Sequence, residues 1–178
     1  MNGMICKLNT SNIRDWITTL KAGEEILLSG TVYSARDAAH KRFFEILDAG
    51  EELPIEIKDS VIYYCGPTPA KPGMAIGSCG PTTSVRMDGF TPRLLSCGLA
   101  AMIGKGGRSE AVCESIKTYG GAYLCAMGGA GAIAAKSISS VEVVAFSELG
   151  CESVKKMQFV DFPLIVGIDC NGNSIFEN

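Results

Sequence analysis

The sequence has no close-spaced cysteine pair, no long apolar run and no excess of positive charge, and each absence removes a class of function. Eight cysteines stand among the 178 residues, at 6, 65, 79, 97, 113, 125, 151 and 170, and none belongs to a CxxC pair. Structural metal sites usually draw on such pairs, and the single histidine, His40, adds little to them. The expectation is that this chain alone holds no metal. Thiols scattered among apolar and small neighbours read as buried and reduced. The sharper alternative is that Cys65 and Cys79, which flank a glycine-rich loop, ligate a metal or cluster. No stretch approaches the roughly 18 apolar residues that span a bilayer, and the N-terminus has no charged segment followed by an apolar core. A soluble, cytoplasmic protein is expected. The formal net charge of −3 argues against nucleic acid, which calls for a basic face, so an anion site has to be local.

What is present suits one well-buried unit over residues 1–178, since 47% of the chain is hydrophobic, 20% is charged and no stretch resembles a linker. Ile13, Trp16, Ile17 and Leu20 recur at helical spacing after an extended start. Residues 26–34 are apolar and β-branched and read as a strand. Ser34 and Asp37 stand in capping-box-like spacing before a helix of about 12 residues, with Ala39, Phe43, Ile46 and Leu47 on its apolar face and Gly50 as its stop. Further strands are expected at 61–65, 99–103, 122–127, 141–146 and 164–169. Helices are expected after Thr91-Pro92, after Ser109, through the small residues from the tight turn 128–131 to near Ser137, and over 148–157. Asn171-Gly172 signals a closing hairpin. Alternating strands and helices give an α/β layered fold with a mixed sheet and an antiparallel C-terminal edge.

Three of the expected strand ends deliver a cation beside small residues. Arg36 follows the first, Arg86 lies in the hydroxyl-rich turn Gly80-Pro81-Thr82-Thr83-Ser84-Val85-Arg86-Met87-Asp88, and Lys105 stands in Gly104-Lys105-Gly106-Gly107-Arg108-Ser109. Arginine grips planar anions with two parallel hydrogen bonds, and glycine lets backbone N–H groups approach them. The set therefore suits a small polycarboxylate or phosphate. Read by spacing alone, Thr82 is equally a plain helix cap. The turn 128–131 lacks the spacing of a nucleotide-binding loop, so close helix packing or a main-chain anion contact is the reading there.

Four segments together, 28–42 (Leu-Ser-Gly-Thr-Val-Tyr-Ser-Ala-Arg-Asp-Ala-Ala-His-Lys-Arg), 63–70 (Tyr-Tyr-Cys-Gly-Pro-Thr-Pro-Ala), 80–88 and 104–109, resemble the iron–sulfur hydro-lyase family, as do Val-Asp-Phe-Pro at 160–163 and the final hairpin. The resemblance runs nearly end to end, to the β subunit type of class I fumarases and L(+)-tartrate dehydratases. It implies a swivelling β/β/α domain that closes over a separate α subunit carrying a [4Fe-4S] cluster on three cysteines, with one iron open to substrate. It also implies roles: Arg36 and Arg86 bind the carboxylates of a small dicarboxylate, Thr82 is the proton acceptor, and Lys105 tunes it. His40 and Asp88 stand behind them as orienting groups, Asp37 caps its helix, and whether Arg108 reaches substrate is open. The expected reaction is reversible hydration of fumarate to L-malate, with tartrate dehydration as the alternative and a non-catalytic anion-binding module as a third. A partner-facing surface is also expected to drive self-association when the α subunit is absent.

Overall fold

A computed structural model describes residues 5–127 and 129–176. Its seven strands are β1 (Cys6–Asn9), β2 (Glu25–Ser34), β3 (Val61–Tyr63), β4 (Ala101–Gly104), β5 (Ala122–Ala126), β6 (Ile138–Ala145) and β7 (Val154–Ile168). Its helices are α1 (Ile13–Trp16), α2 (Asp37–Asp48), α3 (Thr91–Ser96), α4 (Glu110–Tyr119) and α5 (Ala130–Ser137). One mixed sheet takes the order β1-β2-β3-β4-β5-β7-β6, and a further β2–β7 pairing closes β2, β3, β4, β5 and β7 into a ring. β1 through β5 run parallel to their neighbours, and β7 runs antiparallel to β2, β5 and β6.

Strand periodicity sorts the side chains into two cores. Val61 and Tyr63 of β3, Ala101 and Ile103 of β4, and Ala122 and Leu124 of β5 point into the ring, where they meet Ile26, Leu28 and Val32 of β2 and Phe159, Phe162 and Leu164 of β7. The alternate residues Ile62, Met102 and Tyr123 face outward and are covered by Phe43 of α2, Leu94 and Leu95 of α3, and Val112 and Ile116 of α4. β3 and β4 are buried at every position, as parallel strands covered on both faces must be. The result is an α/β layered fold with a mixed sheet, as expected from the sequence. Each parallel strand ends at the same rim, and the connecting segments there carry the candidate site.

Three local expectations fail for identifiable reasons. Residues 148–157 are not a helix: a 3₁₀ turn covers Ser147–Glu152 and β7 begins at Val154. Val154 and Met157 are both buried three residues apart, which imitates a helical period, but they point to opposite faces of the strand, Val154 into the outer core and Met157 into the ring. Phe159 and Phe162 do share the ring face, because a bulge opposite Leu28 and Gly30 places one extra residue of β7 between them, where Asp161 has φ 47°. Gly30 itself has φ 108°, and a methyl there would collide with Thr10 Oγ1. β7 is also no edge, since it pairs with three strands; the antiparallel edge is β6. Finally, no capping box starts α2. Arg36 holds the N-cap position without a side-chain cap bond, and Ser34 Oγ instead accepts from Lys155 N–H at 3.1 Å.

Candidate functional site

Backbone pairing at the rim assembles the site. Ala35 N–H donates to Tyr63 O at 3.1 Å, and Tyr64 N–H donates to Ile103 O at 2.9 Å, so the ends of β2, β3 and β4 are pinned in sequence. The long proline- and glycine-rich loop after β3 returns to the same point. Cys65 forms a bridge with Pro81, and Thr82 N–H donates to Tyr64 O at 2.6 Å. Ser84 N–H then donates to Lys105 O at 3.0 Å while Lys105 N–H donates to Ser84 Oγ at 3.1 Å. Gly104 is required at this crossing because a Cβ would collide with Ser84 Oγ. Arg36 and Lys105 thus follow the carboxyl ends of β2 and β4, and the loop that returns to the end of β3 brings Thr82 and Arg86 to the same rim, the usual ligand edge of α/β sheets.

Two arginines converge on one carboxylate. Arg86 Nε donates to Asp37 Oδ1 at 3.0 Å, and its Nη2 lies 3.0 Å from Oδ2. Arg36 Nε lies 3.6 Å from Asp37 Oδ2 and 3.1 Å from Glu152 Oε1. Neither Arg36 contact is aligned as a hydrogen bond: Arg36 Nε, Asp37 Oδ2 and Glu152 Oε1 are buried without one. Gly66 makes room for this guanidinium, since a Cβ there would stand 2.9 Å from Arg36 Nη1. Asp37, expected as a helix cap, is instead the strut between the two arginines.

Around Lys105, the residues Ser78, Gly80, Pro81, Met127, Gly129 and Gly131 help to line a cavity of about 480 Å³. Lys105 is exposed at its wall and Thr82 is half-buried. Thr83, not Thr82, occupies the N-cap position of the 3₁₀ turn Ser84–Met87, and its side chain makes no capping bond. The expected cap at Thr91 is displaced as well: Phe90 is the N-cap of α3, and Thr91 Oγ1 donates back to Met87 O at 2.9 Å.

His40 is fully buried behind Arg36. Its Nδ1 lies 2.8 Å from Arg36 O, and because a carbonyl only accepts, Nδ1 carries the proton and Nε2 is a lone-pair acceptor with no partner. Burial, with the nearby Arg108 charge, lowers its pKa to about 4, so the ring is neutral at ordinary pH. Asp88 touches none of the four site residues. It accepts from Arg108 Nε at 2.7 Å and from Ser109 N–H at 2.6 Å, tying the 3₁₀ turn to the start of α4. Arg108 also donates to Thr91 Oγ1 at 2.7 Å and packs its guanidinium against Tyr64 and Tyr123, so it is a buried tie and not a rim residue.

Cys65 and Cys79 approach with sulfurs 3.0 Å apart beneath the loop, and burial, then Cys79 itself, pushes the Cys65 thiol well above its ordinary pKa. Such a thiol resists ionisation and is a poor ligand as it stands. Among the described residues no three His, Cys, Asp or Glu side chains gather as a metal site. The donor set of this chain therefore does not fit a cluster held on three cysteines. Among the same residues no helix is long and apolar enough to cross a membrane.

Glu152 was invisible to sequence reasoning, because its link to Arg36 is made by the β2–β7 pairing and not by any local spacing. The bridging role of Asp37 was masked by its own position, at the start of a helix where an acidic residue already has a reason to be.

The family described as "Fumarase C-terminus" matches residues 2–178. "Fumarate hydratase 2" of Leishmania major is 42% identical over 167 residues, covering 93% of this chain and 29% of that protein. "Fumarate hydratase class I, anaerobic" of Escherichia coli (strain K12) is 43% identical over 152 residues, covering 84% of this chain and 28% of its own length. "Putative L(+)-tartrate dehydratase subunit beta" of Methanocaldococcus jannaschii is 38% identical over 167 residues, covering 90% of this chain and 86% of that protein. The chain thus spans less than a third of the fumarate hydratases it matches but most of the tartrate dehydratase subunit.

Proposed function

Because the chain belongs to the fumarase C-terminal family of hydro-lyases, we propose that it is the β-type part of an iron–sulfur hydro-lyase that interconverts fumarate and L-malate. The observation that carries the reading is the convergence of Arg36 and Arg86 at the rim beside Thr82 and Lys105. Each guanidinium offers a planar fork to one carboxylate of a four-carbon dicarboxylate. Thr82 takes the proton from the carbon next to the departing hydroxyl. A threonine hydroxyl is a weak base, so its alkoxide depends on the field of Lys105 and Arg86. His40 holds the Arg36 carbonyl from behind as a neutral donor, and positions that guanidinium without touching substrate.

The [4Fe-4S] cluster belongs in this reading to a partner α subunit, since the cysteines here do not fit it. Val85, Met127 and Ile133 are large apolar side chains exposed near the cavity and the 3₁₀ turn, and such surface suits a partner. The complex works in the cytoplasm. Tartrate dehydration to oxaloacetate is the second reading, favoured by the 86% coverage of a protein named as a tartrate dehydratase β subunit. The two substrates differ by one hydroxyl, which a site recognises through one or two polar contacts. Anaerobic reconstitution with a cluster-bearing α subunit, assayed on malate and tartrate side by side, tests the proposal. Malate dehydration is expected; turnover of tartrate alone selects the second reading, and turnover of neither removes both.

A further inference from the structure

The two arginines of the proposed site are already occupied by carboxylates of the chain itself. Arg86 Nε donates to Asp37 Oδ1 and its Nη2 lies 3.0 Å from Oδ2, and Arg36 Nε sits 3.1 Å from Glu152 Oε1. Glu152 is not a loose surface side chain. The turn that carries it is clamped by Lys155, whose Nζ donates to Gly150 O, Cys151 O and Ser153 O, each at 3.2 Å, and to Ser153 Oγ at 2.8 Å. Lys155 N–H in turn donates to Ser34 Oγ, and Ser34 lies two residues before Arg36. The carboxylate is thus delivered to Arg36 by a built turn on the neighbouring strand.

The charges say that one carboxylate leaves, and the geometry says which. Arg36, Arg86 and Lys105 supply three positive charges at the rim, and Asp37 and Glu152 supply two negative ones. A dianion entering this set would leave one uncompensated negative charge; with either carboxylate withdrawn the set balances. The geometry selects Glu152. Glu152 meets Arg36 without a properly aligned hydrogen bond, and its Oε1 and Arg36 Nε are both buried and unsatisfied, an arrangement that costs free energy until a better-aligned acceptor replaces it. Asp37 bonds Arg86 at good distance and also reaches Arg36, so it stays as the strut. Gly150, at φ 59°, lies two residues from Glu152 and gives the turn a backbone conformation that other residues adopt with strain.

Resting on the dicarboxylate reading, we infer that Glu152 is a resident carboxylate that fills the Arg36 site in the free protein and is exchanged for a carboxylate of the incoming ligand, while Asp37 fixes the spacing of the two arginines. Glu152 therefore sets the affinity threshold of the site. The exchange is a swap of ion pairs, with no bond made or broken.

The test titrates the whole chain with succinate and, in a second arm, with inorganic sulfate, following the arginine Nε–Hε resonances by NMR. Removing a partly exposed competing charge corresponds to about 1 kcal/mol, or roughly a fivefold lower Kd. Glu152→Gln should show that gain, and Glu152→Asp, with the charge on a shorter arm, should fall between it and the parent. Asp37→Asn should instead weaken succinate binding. A gain with succinate only supports both the exchange and the dicarboxylate reading. An equal gain with sulfate and succinate supports the exchange and counts against dicarboxylate selectivity. Unchanged or weaker binding of both anions by a folded Glu152→Gln chain, with Glu152→Ala giving the same result, overturns the exchange whatever the parent binds.

Discussion

Two arginine–carboxylate constellations stand in the molecule, and they are built differently. Arg108 and Asp88 are sealed: the Arg108 side chain has no exposure, its guanidinium stacks on Tyr64 and Tyr123, and Asp88 accepts at short range from both Arg108 and Ser109 N–H. Burial alone would disfavour the Arg108 charge, but Tyr64, Asp88 and Tyr123 more than restore it, and its pKa rises. Arg36, Arg86, Asp37 and Glu152 are open instead, with Arg86 half exposed and the Arg36 contacts misaligned. The same residue types serve structure where water is excluded and every donor but one is satisfied. In the open set Arg36 Nε is left without an aligned partner, and it is there that binding is proposed.

That contrast is broken most forcefully on the sealed side. Arg108→Met would strand the Asp88 carboxylate, and removal of one partner of a buried pair costs about 3–5 kcal/mol. Urea denaturation should show that loss, and a folded Arg108→Met chain of parental stability would deny the distinction. On the open side, Thr82→Val removes a hydroxyl at nearly constant shape. In the reconstituted complex kcat should fall by roughly 10²–10⁴ with substrate affinity and stability little changed. Parental turnover would take Thr82 out of the mechanism and leave Lys105 or a partner group as proton acceptor.

His40 lies between the two constellations and gives a pH test. Its folded pKa, about 4, is below its unfolded value near 6.5, so its contribution is fully present above pH 6.5 and is lost as pH falls toward 4. The shift corresponds to about 3 kcal/mol at 1.36 kcal/mol per unit. Stability measured from pH 7 to 4 should fall, and His40→Gln should flatten that slope; an identical slope would assign the acid loss to other groups. The smallest expected effect is Arg36→Lys, which keeps charge but loses the fork. It should weaken substrate binding and transition-state positioning together by about 1.5–3 kcal/mol while leaving denaturation midpoints near the parent. A large stability loss there would make Arg36 another Arg108.

How much of this was legible in advance depended on sequence distance. α2 was readable from Ala39 and Phe43 at helical spacing before Gly50, and β3 and β4 from their continuous apolar runs, because those signals are local. Residues 148–157 misled because burial on both faces of a strand mimics a helical period: Val154 lies in the outer core and Met157 inside the ring. The final strand could not be recognised as the one that closes the ring, since β2–β7 pairing joins residues far apart in the chain.

The three rim cations Arg36, Arg86 and Lys105 were marked by the sequence itself, because strand ends, glycines and charge type are written locally, whereas Thr82 was singled out only by the family resemblance. Which carboxylate each arginine meets was decided only by tertiary structure. Asp37 could be a helix cap until Arg86 arrived from another loop, Asp88 could face the site until Arg108 turned it inward, and Glu152 had no assigned place until β7 paired with β2. Ion pairing depends on distances of 3–4 Å between side chains, and in this fold packing between strands brings those side chains within reach.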